Sequence, residues 1–310
     1  MIVVELMGGL GNQMFQYALG RHLAEKYQTE LKLDLRFLLD RTPRKSSVFR
    51  DYDLSIFPIE QNFLTEGEAA LLLNGKSEKP FQVVKEKKIY YFDAEVLKSP
   101  DNIYLRGFWQ NEKYFKDIED IIRKEFVFQQ DWDSETNALA EHIKAVSAVC
   151  LNVRRGDYVS IPTARKWHGL CGPDYYQEAV FFTSEKVVDP QFFIFSDDIT
   201  WCKRHFICHN SNLRIMLFKQ TFSHFGILNK RFCRISYPTA FLSKKHGQNK
   251  FRDFYLMSLC KHFIIPNSTF GWWAAWLCPN PDKIVIAPKK WVRAANIDAS
   301  DVTPSSWLRM

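Results

Sequence analysis

A pair of doubly wound α/β domains facing across a cleft is the fold class this 310-residue chain predicts. Two observations carry that expectation. Short apolar runs alternate with helix-length segments in both halves, and several runs end in a turn rich in glycine, serine or asparagine before the next helix begins. Ligands of such sheets bind beyond the carboxyl ends of the strands, so the cleft is where a site is expected.

In the first half Ile2–Leu6 reads as a strand, Met7–Gly11 as a glycine turn, Asn12–Tyr27 as a helix and Leu31–Asp34 as the next strand. This β-α-β order implies parallel pairing with a right-handed crossover. A helix at Glu66–Leu73, a strand at Ile89–Phe92, a strand at Asn102–Phe108 and a helix at Asn111–Phe126 follow. Asp131–Lys144 reads as a bridge, and the domains are expected to divide as 1–146 and 147–310.

The second half repeats the alternation. Strands are expected at 147–153, 191–195, 263–266 and 283–287, and helices at 174–182, 198–205, 251–261 and 271–277. Residues 205–250 show no clear period and read as an irregular loop at the cleft.

Composition is that of a soluble globular protein, with 46% apolar and 25% charged residues. Its aromatic content, 26 Phe, 12 Tyr and 9 Trp, suits both cores and sugar-stacking faces. The net charge of +7 fits an anionic ligand, an acidic membrane face or plain solubility. Seven cysteines without C-x-x-C spacing argue against a disulfide framework and a structural zinc site. A reducing, cytoplasmic setting is expected, with peripheral membrane contact open and no nucleic-acid partner.

Four constellations could carry chemistry. Asn152-Val153-Arg154-Arg155-Gly156-Asp157 closes a buried strand with two guanidinium forks, suited to a diphosphate; the plain alternative is an ion pair with Asp157. Gly8-Gly9-Leu10-Gly11-Asn12-Gln13 with Asp34 approaches a dinucleotide fingerprint, but Met14 stands where its third glycine belongs, so the turn alone explains the glycines. Ser196-Asp197-Asp198 ends another strand, with Asp198 as a helix cap and Asp197 as the carboxylate able to read a guanine edge. Asn267-Ser268-Thr269-Phe270 opens a helix whose N–H and hydroxyl groups suit phosphate oxygens, or only cap it.

Asp131-Trp132-Asp133 has the D-x-D form of metal-dependent sugar transferases, yet helix capping at Ser134 accounts for it. No metal ligands are assigned. His142, His168 and His246 stand apart from one another at no metal-binding spacing.

Taken together and in order, GGLGNQMFQYALG at 8–20, GFWQNEKYF at 107–115, VRRGDY at 153–158, WHGLCGPDYY at 167–176, FSDD at 195–198, DFYLMSL at 253–259 and NSTFGWWAAWL at 267–277 closely resemble the bacterial α-1,2-fucosyltransferases. The resemblance implies a GT-B-like fold and no cofactor: GDP-fucose is the donor substrate, and fucose passes with inversion to the 2-hydroxyl of a terminal galactose on an oligosaccharide or glycolipid, without a metal. It makes the first domain the acceptor side and the second the GDP-fucose binder.

Carried onto this chain, it implies Arg154 as the main diphosphate ligand, Arg155 and Asp157 as its neighbours and Asp197 as guanine reader. Ser268, Thr269 and Phe270 would meet phosphates or base, with Gly9, Gly11 and Asn152 also on the nucleotide side. Asn12 would reach the diphosphate or fucose from the first domain.

The family pattern has His where this chain has Asn152, and Ser and Gly where it has Gly271 and Ala274. An asparagine keeps one hydrogen bond of an imidazole but neither its proton transfer nor its stacking. Asp34, Asp157 and His168 are the candidate bases. Two rival classes are a nicotinamide-dependent oxidoreductase, resting on the first β-α-β unit and Asp34, and a non-catalytic carbohydrate-binding protein, resting on the aromatics and Asn152.

Overall fold

The computed structural model describes residues 1–43, 48–73, 81–208, 232–242 and 251–310. They form two compact units, Met1–Gln130 with Ala294–Pro304, and Asp131–Arg293 with Ser305–Met310. The division thus falls at 130/131 rather than at 146/147. The reason is the segment expected as a bridge. It contains a helix whose Leu139 and Ile143 are buried, Arg252 Nε donates to Thr136 Oγ1 at 2.7 Å, and Trp132 stacks on Tyr255 with centroids 4.9 Å apart.

The first unit comprises β1 (Ile2–Glu5), α1 (Leu10–Tyr27), β2 (Leu31–Asp34), α2 (Arg36–Leu39), α3 (Glu66–Leu73), β3 (Gln82–Lys85), β4 (Ile103–Arg106) and α4 (Glu119–Glu125). Its sheet runs β2-β1-β4-β3, parallel throughout: the chain steps from β1 out to β2, crosses to the far edge at β3 and returns to β4 beside β1. Gly20 seats α1 on the sheet: a Cβ there would lie 2.3 Å from Val4 Cγ2 and 2.8 Å from Leu31 Cδ1.

Two expectations fail in this unit. Ile89–Phe92 is not a strand, and the strand is Gln82–Lys85. That strand lies at the sheet edge and is largely exposed, so it lacks the apolar alternation that would have marked it. The single helix expected over 111–126 is two 3-10 turns, Glu112–Tyr114 and Lys116–Ile118, followed by α4. Burying Tyr114, Phe115 and Ile118 together turns the chain there, with Phe115 at φ −138°.

In the second unit α5 (Ser134–Ala145) leads into β5 (Ser147–Val153), α6 (Gly156–Ser160), α7 (Pro162–His168), α8 (Pro173–Lys186), β6 (Pro190–Ser196) and α9 (Ile199–His205). Strands β7 (Phe206–Cys208) and β8 (Cys233–Ile235) pair apart from the main sheet. Then come β9 (Thr239–Leu242), α10 (Arg252–Ser258), β10 (His262–Ile264), α11 (Thr269–Leu277), β11 (Val285–Ala287) and β12 (Leu308–Arg309). The six-stranded sheet is parallel, in the order β12-β11-β10-β5-β6-β9.

Strand building starts at β5, moves outward through β6 to β9, then returns to the other side of β5. The reversal between β5 and β10 is the crevice where doubly wound sheets bind ligands. β5 and β6 are buried almost end to end, as a sheet covered on both faces requires. Of the unreadable stretch 205–250, the described residues include β7, β8 and β9; residues 209–231 and 243–250, with His246, lie outside the described residues.

Candidate nucleotide site and family

Register builds the site. Val153 on β5 is paired with Ser196 on β6, so Arg154 and Asp197, each one residue further on, leave adjacent strands side by side. Arg154 Nη1 lies 2.7 Å from Asp197 Oδ2, and its Nη2 donates to Asp157 Oδ1 at 2.6 Å. The ion pair weighed as an alternative therefore exists, and it braces the fork from two sides. A guanidinium has five N–H donors, so these two contacts leave others to meet a phosphate.

Arg155 points elsewhere. Its Nε donates to Asp198 Oδ2 at 3.1 Å and its guanidinium sits 4.1 Å from the centroid of the Trp201 ring. Its backbone N–H donates to Asp197 Oδ1 at 2.7 Å. Both oxygens of Asp197 thus serve the arginine turn, and a guanine edge would have to share them. Asp198 caps α9 by accepting from Trp201 N at 3.0 Å, as expected.

Gly156 makes this closeness possible, since a Cβ there would lie 2.6 Å from Asp197 Oδ2. The two departures Asn152 and Gly271 are also linked. Asn152 is buried, donates to Phe195 O at 3.3 Å, and its Oδ1 lies 2.7 Å from where a Cβ on residue 271 would stand. Any side chain at 271 would displace Asn152.

The third edge of the crevice is the start of α11. Ser268 is its buried N-cap and makes no side-chain capping bond; Thr269 and Phe270 are half-buried, with Phe270 4.9 Å from the Phe254 ring. Asn267 just before it is a frame residue: its amide donates to His168 O at 2.8 Å and Trp291 O at 3.0 Å.

Tyr158 ties the arginine turn to this frame. Its hydroxyl donates to Asn267 O at 3.2 Å, its ring stacks on His168 at 4.4 Å, and the Arg154 guanidinium lies 5.5 Å from its centroid. Burial pushes the His168 imidazole down to about 4, so it is neutral near pH 7. Beside it opens a cavity of about 500 Å³, rimmed by Lys289, Lys290 and Arg293. Tyr158 and Asn267 lie inside quoted motifs but are given no site role by the sequence, because they gain meaning only from contacts about a hundred positions away.

The remaining candidates sit in the first unit. Gly8, at φ +78°, makes the turn, and Gly9 is the N-cap of α1, with Asn12 N and Gln13 N donating to its carbonyl. Gly11 is buried inside α1. Asn12 Oδ1 accepts from Gln110 Nε2 at 3.0 Å. Gln13 and Gln16 hold backbone: Gln13 Nε2 donates to Gly8 O and Asp51 O, and Gln16 Nε2 to Gly107 O.

Asp34, the first unit's catalytic candidate, is held by its neighbours. It is buried, accepts Arg36 Nε, Nη2 and backbone N, and takes the Tyr104 hydroxyl at 2.6 Å. Burial raises its carboxyl, but the bonds from Arg36 and Tyr104 outweigh burial and hold it below the ordinary value. Such a carboxylate is structural and a weak base.

Asp133 caps α5 through Thr136 N at 2.7 Å. Among the described residues no three His, Cys, Asp or Glu side chains gather as a metal site, and no helix is long and apolar enough to cross a membrane. All seven cysteines are free thiols.

The solved structure of an Arabidopsis thaliana FUT1 mutant in complex with GDP matches with a TM-score of 0.50 at 11% identity, covering 94% of this chain and 71% of that one. It supports the GT-B-like α/β class. An α-1,2-colitosyltransferase of Escherichia coli is 33% identical over 100% of this chain and 98% of its own length. The O-antigen biosynthesis glycosyltransferase WbnK of Escherichia coli is 29% identical, with 98% and 99% covered. The model of glycosyl transferase family 11 matches residues 1–216 and 233–309, and the chain belongs to that family.

Proposed function

We propose that this glycosyltransferase moves L-fucose from GDP-fucose to the 2-hydroxyl of a terminal galactose, with inversion and without a metal ion. The observation that carries the reading is the braced Arg154 fork beside the start of α11, at the strand reversal of the second unit. In the reaction the acceptor O2 bonds to the fucose anomeric carbon as the bond from that carbon to the β-phosphate oxygen breaks. GDP leaves carrying negative charge, and the acceptor proton passes to a base or to solvent.

Arg154 serves as the diphosphate ligand, assisted by the hydroxyls of Ser268 and Thr269. Fixed donors aimed at charge that develops on the leaving group supply the larger part of such catalysis. Asp157 and Asp197 hold the fork in place, and Arg155 with Asp198 anchors the turn to α9. The free thiols support a reducing, cytoplasmic setting. The relative named a colitosyltransferase favours a second donor, GDP-colitose, for the same site.

The test is incubation with GDP-fucose or GDP-colitose and a panel of galactosides, with excess chelator in parallel, reading product mass and linkage by NMR. An α-1,2 product formed in chelator is expected, and the donor with the larger kcat/KM names the sugar. Neither transfer nor donor hydrolysis would overturn the reading in favour of a carbohydrate-binding protein; activity restored only by Mg²⁺ or Mn²⁺ would overturn the metal-free part.

A further inference from the structure

The first unit has its own cavity, of about 140 Å³, well above the roughly 10–15 Å³ that one water needs. Its walls include Glu86, which follows β3, Trp109, which follows β4, and Tyr91, Asp93 and Tyr114. It therefore lies at the carboxyl ends of two parallel strands, where this sheet class places ligands.

The walls are held fixed. Glu86 Oε2 accepts from Phe108 N at 2.9 Å and Oε1 from Trp109 N at 3.2 Å. Gly107 permits this, because a Cβ there would stand 2.5 Å from Glu86 Cβ. The Tyr114 hydroxyl accepts from Asp93 N at 2.9 Å, and Phe92 N donates to Asp301 Oδ2 at 3.1 Å. Under these constraints Tyr90 and Trp109 adopt φ of +70° and +55°, a left-handed conformation uncommon for aromatic residues and one that collects at ligand clamps.

Three features specify the ligand chemistry. The Trp109 ring is fully buried and fixes one wall of the cavity as an apolar aromatic surface. Tyr91 presents a half-exposed ring able to stack on the C–H face of a pyranose. Glu86 and Asp93 can accept from sugar hydroxyls, while Lys87 and Lys88 balance their charge, Lys87 lying 3.3 Å from Asp93. A neutral wall of this kind suits an uncharged sugar better than a phosphate. Burial also raises the Glu86 carboxyl above the ordinary value, marking it off from Asp34, Glu68 and Glu119, which are lowered.

We infer that the Glu86–Tyr91–Trp109 cavity is the subsite for the terminal neutral hexopyranoside of the acceptor. This rests on the transferase reading above, but binding tests it without turnover. Saturation-transfer NMR and calorimetry with N-acetyllactosamine are run on the wild-type protein, Tyr91→Ala and Glu86→Gln, with GDP titrated separately. Tyr91 is half exposed, so its variant folds even if Glu86→Gln does not.

Acceptor affinity is expected to fall roughly ten- to hundredfold in Glu86→Gln, the scale of one lost charge-assisted hydrogen bond, and about tenfold in Tyr91→Ala, the scale of one lost aromatic contact, with the GDP Kd unchanged in both. Galactoside binding that is absent in the wild-type protein, or unchanged in Tyr91→Ala, overturns the subsite. Galactoside binding that depends on Tyr91 in a protein that neither transfers nor hydrolyses the donor overturns the transferase reading and leaves the subsite standing.

Discussion

The second unit reverses its strand order once, between β5 and β10, whereas in the first the chain steps from β1 to β2, crosses to the edge at β3 and returns to β4 beside β1; the crevices at the two central strand pairs are furnished differently. In the first, neutral amides bridge the strand ends. Gln16 takes Met7 N and donates to Gly107 O, Gln13 holds Gly8 and Asp51, and Gln110 donates to Asn12. The nearby carboxylates are closed off, Asp34 by Arg36 and Tyr104 and Glu5, at the end of β1, by Arg106 at the end of β4. In the second, guanidiniums and carboxylates crowd the same topological position, with an α-helix start beside them. The lesson is that a glycine turn followed by a carboxylate marks a strand end, while the charge left open there decides whether it suits a phosphate.

The comparison breaks most sharply at Arg154. Arg154→Ala is expected to fold and to lose about a hundredfold or more in kcat/KM, with Arg154→Lys also poor because a point charge cannot replace the fork; wild-type turnover in either variant would remove the anion grip. In the other crevice, Asp34→Asn should cost about 1–3 kcal/mol in urea unfolding and leave the GDP Kd unchanged. A selective loss of turnover at full stability would return Asp34 to catalysis.

Gly156→Ala sharpens the role of the brace. A methyl 2.6 Å from Asp197 Oδ2 must push that carboxylate off the arginine turn, so GDP affinity should drop about tenfold, the scale of one hydrogen bond to a charged group. Unaltered affinity by calorimetry would show that Arg154 needs no support from β6. Asp133→Ala removes a helix cap, about 1 kcal/mol of stability, and should not alter activity at any Mn²⁺ concentration.

A further effect is set by pH. His168 is held near 4 when folded against 6.5 as its ordinary value, so the unfolded chain takes up a proton first as the solution is acidified. Its contribution to stability is complete above pH 6.5, falls between about 6.5 and about 4, and levels off below. His168→Phe should flatten that part of the stability profile while keeping the stack on Tyr158; an unchanged profile would place the imidazole in solvent.

Much of the second unit was legible because its strands are buried on both faces and its turns carry strong local signals. β5, β6 and the caps at Asp133 and Asp198 are local patterns of apolar runs and N-cap residues. The edge strand β3 was not legible, since an exposed strand shows no burial period. Nor was the first-unit cavity: Glu86 and Trp109 are 23 positions apart, and nothing near Glu86 announces that it will hold the turn after β4. The partners of Asp34 were not legible for a related reason, because the same strand-end carboxylate can serve a ribose, a substrate or an arginine.

By itself the sequence determined the α/β alternation, the helix starts, the concentration of arginine at one strand end and, through ordered motifs, the family. Tertiary structure alone decided what those groups touch. The β5–β6 register sets Arg154 against Asp197, 43 residues away, and α11 brings Gly271 against Asn152. It also returns residues 294–304 to the first unit, where Asp301 binds Phe92 and Lys113. The physical reason is that turns and caps are set by hydrogen bonds a few residues long, whereas strand register and helix–sheet approach are set by packing between segments that meet only when the core closes.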